Sequence, residues 1–235
     1  MKILITGATG LIGSALVQLL LKNKHSIHYL TTSPRKILNK ANYTGFLWDI
    51  KAQTIEKKCI EGVDAIIHLA GASISKRWTT AYKKELLSSR VDSARLLYQL
   101  LEKNPHQVKH FVSASGTAIY PNSFENTYTE KSSQIDTTFL GTIVTDWEKS
   151  ADQFKKLGIK VTKMRTGIVF ANQGGALPEM VRPIRFFVGS GFGSGQQQQA
   201  WIHLTDVVNL YEFVLKNNID GVVNAVAPDV INNQN

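Results

Sequence analysis

Three glycines, Gly7, Gly10 and Gly13, lie in the stretch GATGLIG, between an apolar pentad and an apolar helical pattern. Glycine weakens strands and helices alike, so its use where one gives way to the other marks a place where backbone comes very close to something. In this spacing the first glycine permits a tight turn, the second lets a pyrophosphate approach, and the third lets a helix pack close to a sheet. A helix beginning near Leu11 then aims its free amides, with roughly half a positive charge, at that pyrophosphate. A plain strand-to-helix turn can show the same glycines. Placed on the first strand of a strand–helix series, they favour dinucleotide chemistry.

The second strand tells which dinucleotide. Its end, YLTTSPRK, has no Asp or Glu to take an adenosine ribose 2′-hydroxyl. It offers the hydroxyls of Thr31, Thr32 and Ser33, then the cations Arg35 and Lys36. A carboxylate would repel a 2′-phosphate, whereas hydroxyl donors and cations accept it. The competing reading is a polar turn with ordinary surface cations. The residues favour NADP over NAD.

The elements that must hold these groups follow from apolar periodicity. Strand-like runs are predicted at Lys2–Thr6, Ile27–Thr31, Gly45–Trp48, Ala65–Leu69, Val108–Ala114, Lys160–Val169 and Val222–Val226. Helical patterns fall at Leu11–Lys22, Ala81–Lys103, Thr142–Leu157 and Asp206–Lys216. This alternation predicts an α/β fold with a doubly wound parallel sheet. No Pro-rich or Ser-rich linker interrupts the chain, so residues 1–235 read as a single domain. The glutamines at 196–199 beside GFGSG read as a loop.

Composition excludes other classes. With 43% hydrophobic and 19% charged residues the chain is ordinary for a globular protein. The apolar run Ile3–Ile5 is too brief for a signal-peptide core, and no stretch approaches the roughly 18 apolar residues of a membrane span. Cys59, the one cysteine, excludes an internal disulfide and suits a reducing compartment, so a cytoplasmic location is expected. The net charge of +9 is spread over Lys22/Lys24, Lys57/Lys58, Lys83/Lys84 and Lys155/Lys156. These form no tract and accompany no nucleic-acid motif, so solvated helix surface is favoured over nucleic-acid binding. Attraction for an anionic small molecule is compatible with either. No Cys/His cluster supports a metal site, and no G-x-S-x-G elbow supports a hydrolase.

In order along the chain stand GATGLIG, DAIIHLAG at Asp64–Gly71, KRW at Lys76–Trp78, SR at Ser89–Arg90 and SAS at Ser113–Ser115. RTGIVF at Arg165–Phe170, GSG at Gly193–Gly195 and WIHLTD at Trp201–Asp206 follow. The set resembles the atypical extended short-chain dehydrogenase/reductases labelled epimerase-family or sugar-nucleotide-epimerase-like proteins, over essentially the whole chain. The resemblance implies a Rossmann-type NAD(P) fold with a small substrate region from late insertions, here a loop insertion at 171–204. It implies that Gly7, Thr9, Gly10, Leu11, Ile12 and Gly13 form the phosphate loop, and that Thr31 and Thr32 flank the 2′ site. Relatives often carry arginine where this chain has Thr32, and Arg35 would substitute from the turn. Leu69, Ala70 and Gly71 would line the adenosine and ribose side, Glu85 and Arg90 would be polar positions on the helix after KRW, and Gly167 a turn beside the nicotinamide. Asp49 could accept from the adenine amino group or be a surface aspartate. Trp78, Trp147 and Trp201 read as packing residues. His203 could bind phosphate, orient a loop or be structural; the other histidines show no partner spacing.

The wider superfamily pairs a serine with a Y-x-x-x-K helix, where the cation lowers the tyrosine pKa for proton exchange. Ser115 matches the serine. In FLGTIVTDWEKS the tyrosine and lysine positions are Leu140 and Val144, neither of which titrates, and no Y-x-x-x-K occurs in the chain. Tyr120 is the best local substitute, or else a core or loop tyrosine. The resemblance therefore implies an NADP-dependent oxidoreductase or epimerase acting on a polar small-molecule substrate, nucleotide-linked ones included. Its rival is a dinucleotide-binding sensor or interaction protein without turnover. Because NAVAPDVINNQN ends just after a strand where relatives continue, the substrate cleft is expected to be open on one side, with the cofactor groove intact.

Overall fold

The computed structural model describes residues 1–186, 195–229 and 231–232. Its strands are β1 (Lys2–Thr6), β2 (Ser26–Thr31), β3 (Asn39–Lys40), β4 (Tyr43–Asp49), β5 (Thr54–Ile55), β6 (Ala65–His68), β7 (His110–Gly116), β8 (Lys160–Thr166), β9 (Ile168–Ala171), β10 (Gly174–Gly175), β11 (Trp201–His203) and β12 (Gly221–Ala225). The helices are α1 (Leu11–Lys22), α2 (Thr80–Lys103), α3 (Phe139–Asp152), α4 (Ala176–Arg185) and α5 (Leu204–Lys216).

The main sheet runs β12-β8-β7-β6-β1-β2-β4-β3, with β5 beside β4. From β4 to β12 every neighbouring pair is parallel. Chain order reverses at β1, which sits between β2 and β6. That reversal opens the crevice at the carboxyl ends of the strands where doubly wound sheets bind ligands.

Alternation along the strands builds a core on each face. Ile3 and Ile5 of β1 and Ile67 of β6 pack on one side with Leu16 and Leu20 of α1 and Val207 and Tyr211 of α5. Leu4 and Ile66 point to the other, where Ala94, Leu97 and Leu101 of α2 meet Phe111 and Phe154. Helices on both faces explain why these strands read as continuous apolar runs. No helix among the described residues is long and apolar enough to cross a membrane.

The structure departs from the expected elements in two places. The run Lys160–Val169 is broken at Gly167: β8 pairs with β7 and β12, while β9 joins β10 and β11 in a separate small sheet. A Cβ on Gly167 would lie 2.5 Å from the Ala200 carbonyl oxygen, so only glycine lets the chain change partners there. The stretch 171–204, expected as a loop insertion, is not merely loop, since it carries β10, α4 and β11. Residues 187–194, including most of GSG, lie outside the described residues.

Candidate dinucleotide site

The glycine loop joins β1 to α1 at the crevice. Gly7 has φ +70, and a Cβ on it would meet the Leu69 carbonyl carbon and oxygen at 2.9 Å. A Cβ on Gly13 would lie 2.1 Å from the Gly7 carbonyl oxygen, so α1 can start this close to the loop only without a side chain there. Gly10 caps α1 in extended conformation, with no side-chain cap and no acidic residue in the first turn. The Gly10 amide bonds the Gly7 carbonyl at 3.0 Å, and Thr9 and Gly10 face solvent. The first-turn amides at Leu11, Ile12 and Gly13 have no intrahelical partners, which gives an anion seat at the positive end of the helix.

The far wall of the loop is fixed by a buried relay. The Thr6 hydroxyl accepts from the amides of Leu69 at 3.1 Å and Ala70 at 3.0 Å, which leaves its own proton for His68 Nδ1 at 2.8 Å. His68 Nε2 then donates to Ser93 Oγ at 3.1 Å, and Ser93 donates to the carbonyls of Ser89 and Arg90. Burial holds the His68 pKa down to about 4, so the ring is neutral. It is a structural histidine that spacing alone could not assign.

At the end of β2, Thr31 is buried and accepts from the Ser33 amide at 3.2 Å, while Thr32 and Arg35 are exposed. The turn bearing Arg35 is anchored by Tyr29, whose hydroxyl donates to the Lys36 carbonyl and accepts from the Leu38 amide, both at 2.7 Å. The segment from Thr31 to Lys36 itself carries no carboxylate.

The remaining cofactor candidates divide. Gly71 abuts the Arg90 guanidinium, to which a Cβ would come within 3.1 Å. Arg90 is buried, bonds the carbonyls of Leu86 and Ala72 at 2.9 and 3.1 Å, and lies 4.9 Å over the Trp147 ring. Its charge is spent on holding the loop after β6. Asp49 closes a local turn, its Oδ1 accepting from Lys51 and Ala52. Glu85 is exposed on α2. Gly167 serves the strand crossing already described. His203 caps α5, its Nδ1 accepting from the Thr205 amide at 3.2 Å.

The expected catalytic pair meets a third and fourth residue that sequence reasoning missed. Ser115, at the end of β7, donates its proton to Glu148 Oε1 at 2.7 Å. Arg165 grips the same carboxylate, Nε to Oε1 at 2.8 Å and Nη2 to Oε2 at 2.9 Å. Arg165 Nη1 donates to the Tyr120 hydroxyl at 2.8 Å, and that hydroxyl lies 2.8 Å from Asn224 Oδ1. Burial opposes the charge of Arg165, but its bonds to Glu148 and Tyr120 outweigh burial and raise its pKa. Ser115, Glu148 and Arg165 are all buried. The Tyr120 proton thus faces Asn224, or the Thr129 carbonyl at 3.1 Å, so it is not a free donor as a substitute acid would require. A Cβ on Gly116 would sit 3.7 Å from Val144 Cγ2, which places the residue in the lysine's position beside β7. Glu148 lies one turn further along that helix, and the i, i+4 spacing from Val144 was the signal that could have found it.

A family model for the NAD dependent epimerase/dehydratase family matches residues 3–227. The chain belongs to that family. An epimerase family protein of Staphylococcus aureus (strain MRSA252) is 37% identical over 230 residues, covering 96% of this chain and 74% of that protein. Among solved structures, the human epimerase family protein SDR39U1 (isoform 2), determined with NADPH, matches at 32% identity and TM-score 0.83, over 99% of this chain and 76% of the human one. The nucleoside-diphosphate sugar epimerase of Corynebacterium glutamicum matches at 28% identity and TM-score 0.83, over 99% of this chain and 48% of its own. UDP-glucuronic acid 4-epimerase from Bacillus cereus, at 19% identity and TM-score 0.82, shares the fold. The epimerase/dehydratase fold thus accounts for the whole described chain. Among the described residues, no group of three or more His, Cys, Asp or Glu side chains is placed to hold a metal.

Proposed function

We propose that this chain binds NADP(H) in preference to NAD(H) and acts as an oxidoreductase or epimerase on a polar substrate, nucleotide-linked ones included. The observation that carries the cofactor reading is the pairing of an uncapped, carboxylate-free α1 start with a β2 end offering Thr31, Thr32, Ser33 and Arg35. The residues fit the group: Gly7, Gly10 and Gly13 leave room for a pyrophosphate against backbone, and Arg35 stands on an anchored turn. The human relative's NADPH supports the same reading. The bound dinucleotide would supply hydride chemistry. The chain's own part is to seat its phosphates at α1 and to hold Ser115 at the end of β7.

A second reading is binding without turnover. It is favoured by the apolar Leu140 and Val144 and by the commitment of the Ser115 and Tyr120 hydroxyls to internal partners. General acid–base help is typically worth about 10²–10⁴-fold, so any redox activity should be slow.

The test is a fluorescence titration of NADPH and NADH. One charge-assisted contact is worth about 1.5–3 kcal/mol, so a preference for NADPH of about tenfold or more is expected, largely lost in Arg35→Ala. Equal affinities, or no loss in Arg35→Ala, would falsify the assignment. A substrate screen following NADPH absorbance separates the two readings of function.

A further inference from the structure

The KRW motif stands on a loop that the cofactor reading leaves without a role. The loop connects β6 to α2, and its root at Leu69 and Ala70 touches Gly7 of the phosphate seat. Its far end reaches α3: the Trp78 ring lies 5.7 Å from Phe139, the residue before Leu140. The loop therefore spans the rim from the pyrophosphate seat to the helix where the superfamily keeps its tyrosine.

It is braced along its length. The Ala72 amide donates to Ser89 Oγ at 2.9 Å, and Arg90 bonds the Ala72 carbonyl. Ser73 Oγ pairs with Ser75 Oγ at 2.7 Å, and its carbonyl accepts from the Tyr82 hydroxyl. Trp78 Nε1 donates to the Ile74 carbonyl at 2.9 Å, closing the loop on itself. What this bracing presents is charge. Lys76 and Arg77 are exposed, and neither side chain meets a carboxylate among the described residues. The Lys76 ammonium lies 5.4 Å over the Tyr82 ring, and Lys83, on the first turns of α2, lies 4.8 Å over Phe139. Seating an ammonium on an aromatic face limits its motion while leaving the charge unneutralised. A braced loop with unpaired cations, Lys76 seated on a ring and Lys83 of α2 seated on another, loses little entropy on meeting an anion.

We propose that Lys76 and Arg77, with Lys83 over Phe139 at the start of α2, form an anion-binding rim that takes a phosphate or carboxylate group of the substrate. This rests on the dinucleotide reading, since it places the anion beside an occupied cofactor seat. It adds to that reading the residues that would take the substrate's anionic group.

The probe is inorganic pyrophosphate, titrated by calorimetry into the full chain, alone and saturated with NADPH. The double variant Lys76→Ala/Arg77→Ala is compared with Lys57→Ala/Lys58→Ala, which removes the same charge from an exposed turn elsewhere. Thermal melting checks that both variants are folded. Pyrophosphate should still bind the NADPH-loaded chain, and its affinity should fall about tenfold or more in the first variant while staying unchanged in the second. NADPH affinity should be unchanged in both. Equal losses in the two variants would mean a general charge effect and overturn the proposal, as would the absence of saturable binding. A fall in NADPH affinity with pyrophosphate binding intact would move the cations to the dinucleotide and overturn it too. If NADPH fails to bind the parent chain, the cofactor reading fails, and the titration without NADPH still decides whether the rim takes an anion.

Discussion

Glu148→Ala should be among the most damaging single substitutions on this chain. The change removes the acceptor of the Ser115 hydroxyl and both carboxylate acceptors of Arg165, leaving it the Tyr120 hydroxyl. Arg165, only 8% exposed, is left without an anion. Lys163, which sits 3.8 Å from the same carboxylate, keeps Asp152 at 2.9 Å and is spared the full loss. Breaking a buried ion pair by removing one partner costs about 3–5 kcal/mol, and the orphaned Ser115 adds about 1 kcal/mol. For a domain of this size, about 4–6 kcal/mol corresponds to a fall in Tm of roughly 8–24 °C. Calorimetry and urea unfolding on the parent and Glu148→Ala measure the loss. Glu148→Leu combined with Arg165→Met removes both charges together and should recover most of it, because the penalty lies in the unpaired ion. A loss below about 1 kcal/mol for Glu148→Ala would show that water reaches the pair, and the argument from burial would be wrong.

Other consequences follow from the same geometry. Gly13→Ala places a Cβ 2.1 Å from the Gly7 carbonyl oxygen, so α1 must withdraw from the loop; NADPH affinity should drop about tenfold or more. Gly158→Ala, with φ +71 but nothing within 4 Å, should cost stability and leave that affinity unchanged. If both variants bind NADPH like the parent, the glycine seat is not where the phosphates lie. His68, with a folded pKa of about 4 against an ordinary 6.5, binds its proton more readily in the unfolded chain. Its contribution to stability is therefore complete above about pH 6.5 and is lost as pH falls toward 4, by up to about 3 kcal/mol. Urea midpoints measured across that window should show the loss, and a His68→Gln variant whose curve matches the parent's would refute it.

The sheet was legible because β1 and β6 are buried on both faces and carry the apolar runs Ile3–Ile5 and Ala65–Ile67, while Leu11–Lys22 carries a clean helical period. Strand ends were less so. The run through Gly167 stays apolar on both sides, and nothing local reveals that the chain changes sheets there; the reason is the Ala200 carbonyl, distant in sequence. Helix α4 escaped for another reason: Leu177, Val181 and Ile184 share a face, but the helix is only ten residues long and holds Pro183 inside it, and an internal proline reads as a helix breaker. The tight glycine turn between β1 and α1 was readable because glycine spacing is set by local backbone geometry. The Ser115–Glu148–Arg165–Tyr120 network was not, since its members come from β7, α3, β8 and the segment after β7 and meet only in the folded chain.

That network bears on what the site can do. Helix α3 places Val144 beside Gly116, where the superfamily holds its lysine, and one turn later buries a carboxylate that ties down Ser115 and Arg165. Ser115 has a single proton, and it goes to Glu148; toward anything else the oxygen can only accept. Tyr120, held between Arg165 and Asn224, is fixed in the same way. The Ser115 and Tyr120 hydroxyls are therefore tied by bonds internal to the protein. The cations proposed above to meet a ligand are all exposed, Arg35 on the turn after β2 and Lys76 and Arg77 on the loop after β6. Exposed charges act through a screened field, over about 10 Å at 0.1 M salt, whereas the buried pair of Glu148 and Arg165 is shielded from salt. Ligand affinity in this chain should consequently follow ionic strength, and folding stability should follow the integrity of Glu148 and Arg165, because separate sets of residues carry the two properties.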